Sequence, residues 1–586
     1  MRPLPLLLAG LLAACAAPRQ QRQLEPAPLR LTVVATNDFH GWLEPHALRI
    51  EGGGTVPVGG IDVFAAYLAR LRAEGPVVLV DAGDMWQGTL ASNLSEGAAV
   101  VEAYGALGYD AAALGNHEFD FGPVGEKMVA RTPGENPLGA LEARAAQARF
   151  PFLGANVFEK ESGAPPPWLQ QSVLIERGGI RVGLVGLATP DTPQVTISDN
   201  VRTLRFGDPF AAAVEQGEKL RAAGAEVLVL VAHIGGHCLE ADACEGELID
   251  LVRALPAGLY DVAVGGHTHR VVETVVGGVP VIESGALGRA FGTVELTLDP
   301  HTRRVIPGAT RAAAGVEICA LHFEGTERCD PAGGSGPLVP ARFRGAPIQP
   351  DPEIAALVRP WLRRVEEVRA RRLGAVLPAT FRLDYDGESD VGNLVADAML
   401  AVTPEASLAI TNSGGLRAEL PGGELTFGHV FETLPFDNRL SLLRIKGSTL
   451  RHLVRNGFAG VHGGLQVSAN VRVVVDRAAC ASADLDGDGA ITPLDRDRLV
   501  SLEVDGRPVE DDADYVVVTN DFLAGGGGGW DRVLNRLSPG SIRHLEDRPA
   551  QRDAFAGWLE GRGALAVPPR GRIELRGTPP ACPPGR

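Results

Sequence analysis

Five short apolar runs in the first half of the chain are each followed closely by polar residues that can bind a metal ion. The runs span residues 31–35, 77–80, 111–114, 227–232 and 262–264. Short continuous apolar runs with glycines at their ends are typical of strands buried on both faces of a sheet. Because parallel strands end on the same side of a sheet, we expect the polar residues to gather at one sheet edge.

The residues that follow these runs are carboxylates, one amide and imidazoles, without a thiolate. A single such residue at a strand end is usually structural, but a protein core has no use for a series of unpaired carboxylates and imidazoles. A set of oxygen and nitrogen donors without thiolates indicates a site for ions such as Zn²⁺, Mn²⁺ or Co²⁺, rather than a structural zinc site built from cysteines. The polar residues that follow the five runs include Asp38 and His40, Asp81 and Asp84, Asn116, His117 and Asp120, His233, and His267 and His269.

The second half of the chain begins with a helical pattern and continues with strands and helices. Apolar residues recur at helical spacing across residues 352–372, with charges between them, which predicts an amphipathic helix. This helix could connect two domains or belong wholly to the second domain's core. Strand-like runs follow at 408–411, 440–445, 471–475 and 515–519, which indicates an independent α/β unit.

Composition changes this picture by narrowing the classes of function. The 586 residues are 45% hydrophobic and 22% charged, enough for more than one buried core. The formal net charge is -17, and no basic stripe suited to a polyanion is visible, so we expect no nucleic-acid partner. No apolar stretch approaches the roughly 18 residues that span a bilayer. The sequence indicates no protein partner.

The first 15 residues resemble a bacterial lipoprotein signal. Arg2 precedes an apolar core, and Leu12, Ala13 and Ala14 lead directly to Cys15, as in a lipobox. We expect cleavage before Cys15, lipid on that cysteine as the only membrane attachment, a flexible tether over residues 16–28 and a location in the cell envelope. An ordinary cleaved signal is the alternative.

The six other cysteines favour disulfides, because an even number in an exported protein usually pairs. Proximity along the chain favours Cys238 with Cys244 and Cys319 with Cys329, which leaves Cys480 for Cys582. The alternative is a cysteine and histidine zinc site around His237, although the spacing fits no zinc template.

An acidic segment at residues 484–495 reproduces the spacing of an EF-hand calcium loop. Its candidate ligands are Asp484, Asp486, Asp488, the carbonyl of Ala490, and Asp495. Asp495 stands where a longer glutamate is usual, so a low affinity for one Ca²⁺ ion is expected. We expect the loop to pin an insertion between two strands. A solvated acidic turn without metal is the alternative.

The order of the ligand motifs resembles that of the calcineurin-like metallophosphoesterases, and among them the 5'-nucleotidase family. These motifs are Asp38-x-His40, Gly83-Asp84, Gly115-Asn116-His117-Glu118, a lone His233 and Gly266-His267-x-His269. The resemblance implies an α/β fold with a four-layer αββα sandwich over residues 29–340, a linker and connecting helix over 341–373, a substrate-binding α/β domain over 374–576 and a tail over 577–586.

The resemblance also implies a role for each motif residue. One divalent ion would be held by Asp38, His40 and His269, the other by Asn116, His233 and His267, with Asp84 bridging both. Two such ions activate water and clamp phosphoryl oxygens during attack on a phosphoester.

Two further residues of the third motif are given a part in catalysis by the same resemblance. His117 would stabilise the transition state and assist the leaving oxygen, and Asp120 would orient its imidazole. A loop cap is the alternative for Asp120. His46 and His237 lie outside the motifs and are interpreted as structural or exposed.

Segments at residues 412–417, 434–438 and 520–530 resemble the family's substrate-binding domain. By that resemblance Phe436 and Phe522 would sandwich a nucleobase, while Asn412 and Arg417 would contact the nucleotide. Core packing of the two phenylalanines is the alternative. Because substrate and metals would sit on different domains, we expect a relative domain rotation about residues 340–373.

Together these features predict an exported two-metal 5'-nucleotidase that releases phosphate from nucleoside 5'-monophosphates. UDP-sugars and 2',3'-cyclic nucleotides are further candidate substrates. One alternative is a related two-metal hydrolase with a non-nucleotide substrate, such as a thiosulfohydrolase. Another is a surface binding protein whose metal site is inert.

Overall fold

The computed structural model describes residues 27–50, 54–125, 128–130, 132, 134–238, 244–331, 334–436, 438–458, 464–478, 498–538, 540–545 and 548–577. Cys15, the Cys480 and Cys582 pair and the acidic segment 484–495 lie outside the described residues. Lipidation, the third disulfide and the calcium loop therefore stay predictions.

Two six-stranded sheets form the N-terminal part of the molecule. In spatial order, the first contains Arg311–Glu317, Ala290–Leu298, Leu29–Thr36, Val77–Asp81, Ala111–Ala113 and Phe152–Leu153. The second contains Val271–Val276, Val279–Ser284, Val262–Val264, Val227–Ala232, Ile180–Leu187 and Ser172–Arg177. The strands at the centre of each sheet run parallel to one another.

Apolar side chains fill the space between these two sheets. Val33 and Val80 of the first sheet belong to the same buried cluster as Val229 and Val231 of the second. The outer face of the first sheet is covered by the helices Ile61–Glu74, Ala98–Leu107 and Gly139–Gln147, and that of the second by Pro209–Ala222 and Glu247–Ala254. This arrangement confirms the four-layer αββα sandwich.

Pairs of short strands and short helical turns lie outside the two six-stranded sheets. Paired short strands are Pro45–Arg49 with Thr55–Gly59, Val157–Glu159 with Leu204–Phe206, His237–Cys238 with Cys244–Glu245, Leu321–Phe323 with Leu338–Pro340, and Arg342–Phe343 with Ala346–Pro347. Short helical turns are Leu90–Asn93, His117–Phe119 and Thr192–Val195.

Two disulfides lie in this part of the chain, one joining Cys238 to Cys244 and one joining Cys319 to Cys329. Both predicted pairs are thereby confirmed. The zinc alternative around His237 is wrong, because the Cys238 sulfur is already bonded to another cysteine.

A long helix, Pro352–Ala370, connects the two parts of the molecule. The side chain of Asp351 caps its start by accepting hydrogen bonds from the backbone of Glu353 and Ile354. Ile354 is buried in the N-terminal core, whereas Val365 is buried in the C-terminal core. The helix therefore combines both sequence interpretations, since it connects the domains and contributes to each core.

The described residues of the C-terminal part form three smaller sheets. The five-stranded sheet is Leu465–Val467, Leu408–Asn412, Asp514–Asn520, Leu440–Lys446 and Ile542–His544; the four-stranded sheet is Arg507–Pro508, Leu499–Val504, Val471–Asp476 and Ile573–Arg576; the three-stranded sheet is Gly423–Thr426, Arg372–Leu377 and Gly563–Ala564. Helices and turns are Asp390–Ala401, Ser413–Gly415, Phe427–Thr433, Gly447–Gly457, Asp521–Ala524, Gly527–Gly529, Asp531–Leu534 and Gln551–Leu559. Within the described ranges, no helix combines the length and the apolar character needed to cross a membrane.

Candidate metal centre and substrate site

The candidate metal ligands follow strands of both N-terminal sheets. Asp38, His40, Asp84 and Asn116 follow strands of the first sheet, whereas His233, His267 and His269 follow strands of the second. The expectation of a single sheet edge is therefore wrong. Two sheets packed face to face bring the carboxyl ends of their parallel strands to the same end of the sandwich, where the seven side chains meet.

The structure gathers six of these side chains into two groups of three, with the ligand atoms of each group within 4.8 Å of one another. One group is Asp38, His40 and His269, and the other is Asp84, His233 and His267. The Oδ1 atom of Asn116 lies 3.1 Å from Nε2 of His233 and so joins the second group. Asp84 lies between the groups, with Oδ2 3.1 Å from Nε2 of His233 and 3.9 Å from Nε2 of His40.

The pKa shifts of Asp38 and His267 fit a divalent cation. At His233, by contrast, burial is outweighed by the neighbouring Asp84, which raises the pKa to about 10, so a cation would displace a proton there. Burial raises the pKa of Asp38, but the neighbouring His269 outweighs it and the pKa falls to about 2. Burial, followed by the charge of His233, lowers the pKa of His267 to about 3. A charged carboxylate and a neutral imidazole are the forms that bind metals.

Several ligands are held in a backbone conformation that non-glycine residues rarely adopt. Positive φ angles occur at Asp38 (48°), His40 (49°), Asp84 (57°), His267 (80°) and His269 (57°). Each such residue costs on the order of 1–3 kcal/mol and persists only where its surroundings hold it. The strain is concentrated at the site, as it often is where geometry serves function.

Two of the histidines are oriented by hydrogen bonds to backbone carbonyls. Nδ1 of His40 lies 2.9 Å from the carbonyl oxygen of Gln87, and Nδ1 of His233 lies 2.8 Å from that of Ala82. Each ring can therefore donate through Nδ1 and present an unprotonated Nε2 to the centre, which is a common way to orient metal-binding imidazoles.

Glycine permits the close approach of the loops that carry Asp84 and Asn116. A Cβ atom on Gly115 would lie 2.2 Å from Oδ1 of Asp84, and one on Gly83 would lie 2.6 Å from the backbone nitrogen of Gly115. Any side chain at Gly115 would displace the Asp84 carboxylate, which explains the glycine in front of Asn116.

His117 faces the same centre from the side. Its Nδ1 lies 2.6 Å from Oδ2 of Asp120, whose other oxygen accepts a hydrogen bond from Thr196 at 2.7 Å. Its Nε2 lies 4.0 Å from Oδ2 of Asp84. Burial lowers the pKa of His117, but Asp120 and Asp84 outweigh burial and the pKa is raised above its ordinary value.

Two substrate-site candidates of the C-terminal part lie beside His117. The ring of Phe436 has its centroid 5.6 Å from that of His117, and the guanidinium of Arg417 lies 5.9 Å from the Phe436 centroid. After burial and His269, the charge of Arg417 also contributes to a lowered pKa at His40. The two parts of the chain therefore meet at this site.

Asn412 and Phe522 are held by contacts within the C-terminal part. Oδ1 of Asn412 accepts a hydrogen bond of 2.9 Å from the side chain of Asn520. Phe522 is half-buried and packs against the glycine run, where a Cβ atom on Gly527 would lie 2.5 Å from its ring. The glycine run therefore makes room for the ring of Phe522.

Known proteins resemble the chain over both of its parts. The model of the calcineurin-like phosphoesterase matches residues 31–271, and the model of the 5'-nucleotidase C-terminal domain matches residues 372–536. The chain belongs to the calcineurin-like phosphoesterases that carry a 5'-nucleotidase C-terminal domain. It is a metal-dependent phosphoester hydrolase.

Individual relatives of this phosphoesterase share about a quarter of its residues. A 5'-nucleotidase of Bos taurus is 27% identical over 591 residues, covering 95% of this chain and 92% of the relative. Endonuclease YhcR of Bacillus subtilis (strain 168) is 26% identical over 563 residues and 95% of this chain, which spans only 42% of YhcR. The crystal structure of a 5'-nucleotidase precursor from Thermus thermophilus has 27% identity and a TM-score of 0.74, covering 94% of this chain and 100% of that one.

In this conformation of the phosphoesterase, hydrogen bonds tie the substrate segments to the metal domain. The side chain of Asn93 donates to the carbonyl of Pro435 at 2.7 Å, and that of Ser198 donates to the carbonyl of Gly525 at 3.0 Å. Phe436 already lies at the metal centre, so no rotation is needed to bring it there. The domain rotation stays a prediction.

Sequence reasoning missed the buried groups that hold the ligand loops of this phosphoesterase in place. Glu118 is fully buried, and its two oxygens accept hydrogen bonds from the backbone of Asp84, Met85 and Gly115. Asn37 donates to Oδ2 of Asp38 at 2.7 Å. Both residues stand inside or next to quoted motifs, so adjacency to a ligand was the available signal.

Proposed function

We propose that this phosphoesterase is an exported 5'-nucleotidase that releases phosphate from nucleoside 5'-monophosphates. The observation that carries the proposal is the position of Phe436, an aromatic face from the C-terminal part, 5.6 Å from His117 of the N-terminal part. A base stacked on Phe436 gains about 1–3 kcal/mol. Arg417 beside it suits the phosphate, because a guanidinium binds phosphate oxygens through paired donors.

Two divalent ions complete the proposed centre, with Zn²⁺, Mn²⁺ and Co²⁺ as the candidates. Asp38, His40 and His269 would hold one, Asn116, His233 and His267 the other, and Asp84 both. When bound, such a pair supplies an activated water and neutralises charge on the phosphoryl oxygens.

The chain's own residues then orient and protonate the substrate. Asp120 holds Nδ1 of His117, so the Nε2 atom points toward the centre with a defined geometry. A proton carried at Nε2 can pass to the 5' oxygen of the nucleoside as the phosphate leaves. Phe436 and Phe522 hold the base, and Arg417 and Asn412 hold the remainder of the nucleotide.

Export is supported by the two disulfides, since such bonds persist in oxidising compartments and are rare in the cytosol. The signal-like first 15 residues agree with this. We therefore include a cell-envelope location and a lipid anchor on Cys15 in the proposal, with a small nucleotide as the only partner.

A phosphate-release assay tests the function most directly. The metal-stripped protein is supplied with Mn²⁺, Co²⁺ or Zn²⁺ and incubated with AMP, UMP, UDP-glucose or 2',3'-cyclic AMP. The variant Asp84→Ala, purified in parallel, controls for contaminating phosphatases. We expect release from AMP or UMP by the unaltered protein alone. For UDP-glucose and 2',3'-cyclic AMP, whose first hydrolysis frees no phosphate, the nucleotide products are separated by chromatography. Failure to hydrolyse any of the four substrates would leave the non-nucleotide hydrolase, including the thiosulfohydrolase, as the better hypothesis.

A further inference from the structure

Glu283 is a fully buried carboxylate at the end of the strand Val279–Ser284, and it belongs to none of the ligand motifs. One of its oxygens, Oε1, lies 2.7 Å from the hydroxyl of Thr268 and accepts from the backbone nitrogen of Arg270 at 3.1 Å. The other, Oε2, accepts from the backbone nitrogen of Gly236 at 3.2 Å. Both oxygens are therefore engaged, each by a different loop.

These partners belong to the two loops that carry the histidines of the second sheet. Thr268 stands between His267 and His269, and Gly236 comes three residues after His233. The Thr268 hydroxyl also lies 2.8 Å from the carbonyl oxygen of Gly236. Glu283 and Thr268 together therefore join the His233 loop to the His267 and His269 loop.

The backbone of the second loop needs such support. His267 and His269 both have positive φ angles, 80° and 57°, which a free loop of non-glycine residues would leave. The loops also pack tightly, because a Cβ atom on Gly235 would lie 2.5 Å from the carbonyl oxygen of Gly266. A small shift of either loop would change the distances between the imidazoles.

Glu118 provides an internal comparison on the other sheet. It accepts hydrogen bonds from the backbone of Asp84 at 2.8 Å and of Gly115 at 2.6 Å, and thereby joins the loops of Asp84 and Asn116. On each side of the sandwich a buried glutamate, Glu283 in a strand and Glu118 in the turn His117–Phe119, thus joins two ligand loops through their backbones.

We propose that Glu283 is a positioning residue of the metal centre, which fixes the separation of His233, His267 and His269 without contacting metal or substrate. The inference rests on the proposed metal centre but not on the nucleotide as substrate. Groups that orient metal ligands typically account for about 10- to 100-fold in metal affinity. We expect an effect of that size when Glu283 is lost.

The test measures Mn²⁺ binding to the metal-stripped full chain by titration calorimetry. Glu283→Ala should raise the Kd for Mn²⁺ by about 10- to 100-fold, and Glu283→Gln, which keeps one accepting oxygen, should raise it less. Saturating Mn²⁺ should restore most of the kcat of both variants, since no group that touches the substrate has been removed.

A matched control is Asp261→Ala in the same sheet. Oδ2 of Asp261 also accepts from a backbone nitrogen, that of Leu228 at 2.8 Å, but at the opposite end of the strands. This variant should lower the melting temperature of the metal-free protein while leaving the Kd for Mn²⁺ unchanged. Equal weakening of Mn²⁺ binding in the Asp261 and Glu283 variants would overturn the proposal, as would an unchanged Kd in Glu283→Ala.

If Glu283→Ala does not fold, Thr268→Val replaces it. That variant removes the hydroxyl between the loops and keeps Glu283, and we expect a smaller but measurable rise in the Kd. Unchanged Mn²⁺ binding in both Thr268→Val and Glu283→Gln would overturn the positioning role. Absence of Mn²⁺ binding by the unaltered chain would instead contradict the metal centre of the proposed function.

Discussion

The metal side and the substrate side of the site are held in different ways. His233 is fully buried and both of its ring nitrogens face polar partners, while Oδ1 of Asp84 accepts a hydrogen bond from the backbone nitrogen of His117 and its carboxylate lies between two groups of ligands. Phe436 and Arg417 are only half-buried, and their contact is a cation–π pair at 5.9 Å, a type of interaction worth about 0.5–1 kcal/mol at exposed sites. The difference teaches that the chemistry depends on a rigid scaffold, whereas substrate choice depends on a few replaceable contacts.

The largest expected effect on activity comes from removing Asp84, at the centre of the metal side. Asp84→Ala should reduce phosphate release below detection, because two cations would lose the carboxylate that lies between their ligand groups. Metal content measured by mass spectrometry should fall as well. A variant that keeps two metals per chain and measurable turnover would show that Asp84 does not bridge the ions.

His117→Ala should separate metal binding from catalysis. We expect kcat to fall by about 10²-fold or more, because the proton donor for the leaving oxygen is lost, while the metal content stays nearly intact. The measurement is kcat with metal analysis on the same sample. Loss of metal in this variant would mean that His117 is a metal ligand and belongs to the metal side of the site.

The substrate side should respond differently when a side chain is removed. Phe436→Ala removes a stacking surface worth about 1–3 kcal/mol, so KM for the preferred nucleotide should rise by roughly 10-fold. Hydrolysis of p-nitrophenyl phosphate, which has no nucleobase, should change little. Equal losses with both substrates would contradict the division between a catalytic and a substrate-binding side.

The smallest expected effect is on the pH dependence of the free energy of unfolding, and it comes from His46. Burial, followed by the charge of Arg289, lowers the pKa of His46 to about 3, and its ring stacks on Trp42 with centroids 3.6 Å apart. The unfolded chain takes up a proton here below about pH 6.5 and the folded chain does not. This histidine therefore makes the free energy of unfolding decrease as the pH falls from about 6.5 to about 3, by at most about 1.4 kcal/mol per pH unit.

Urea denaturation of the unaltered protein and of His46→Gln at pH 7 and pH 5 measures this dependence. The variant should lose less stability between the two pH values, and its kcat at pH 7 should be unchanged. An identical dependence in both proteins would show that folding does not lower the pKa of His46.

The metal side could be predicted from the sequence because every ligand follows one of five apolar strands. Continuous apolar runs mark buried strands, and a polar residue soon after such a run, such as Asp38 or His233, can be noticed without knowledge of the tertiary structure. The assignment of those strands to two sheets could not be predicted, since buried strands of either sheet have the same apolar pattern.

The role of Glu283 was beyond sequence reasoning, because this residue is not adjacent to any ligand motif. Glu283 lies 47 residues from Gly236 along the chain, yet its carboxylate accepts a hydrogen bond from that residue. Such a pairing results from packing between strands. The sequence around a single glutamate at a strand end does not indicate which backbone group its side chain will contact. The contact between Phe436 and His117 depends in the same way on how the connecting helix packs into both cores.

The hydrogen bond from Asn93 to Pro435 ends on a backbone carbonyl of the substrate segment. Every amino acid supplies that carbonyl, so a mutation at position 435 can change the side chain without removing the acceptor. Neighbouring codons such as that of Phe436 can therefore accumulate changes while this bond still docks the segment on the metal domain. A scaffold of this kind lets natural selection or directed evolution explore new substrates without first rebuilding the contact between the two parts of the protein.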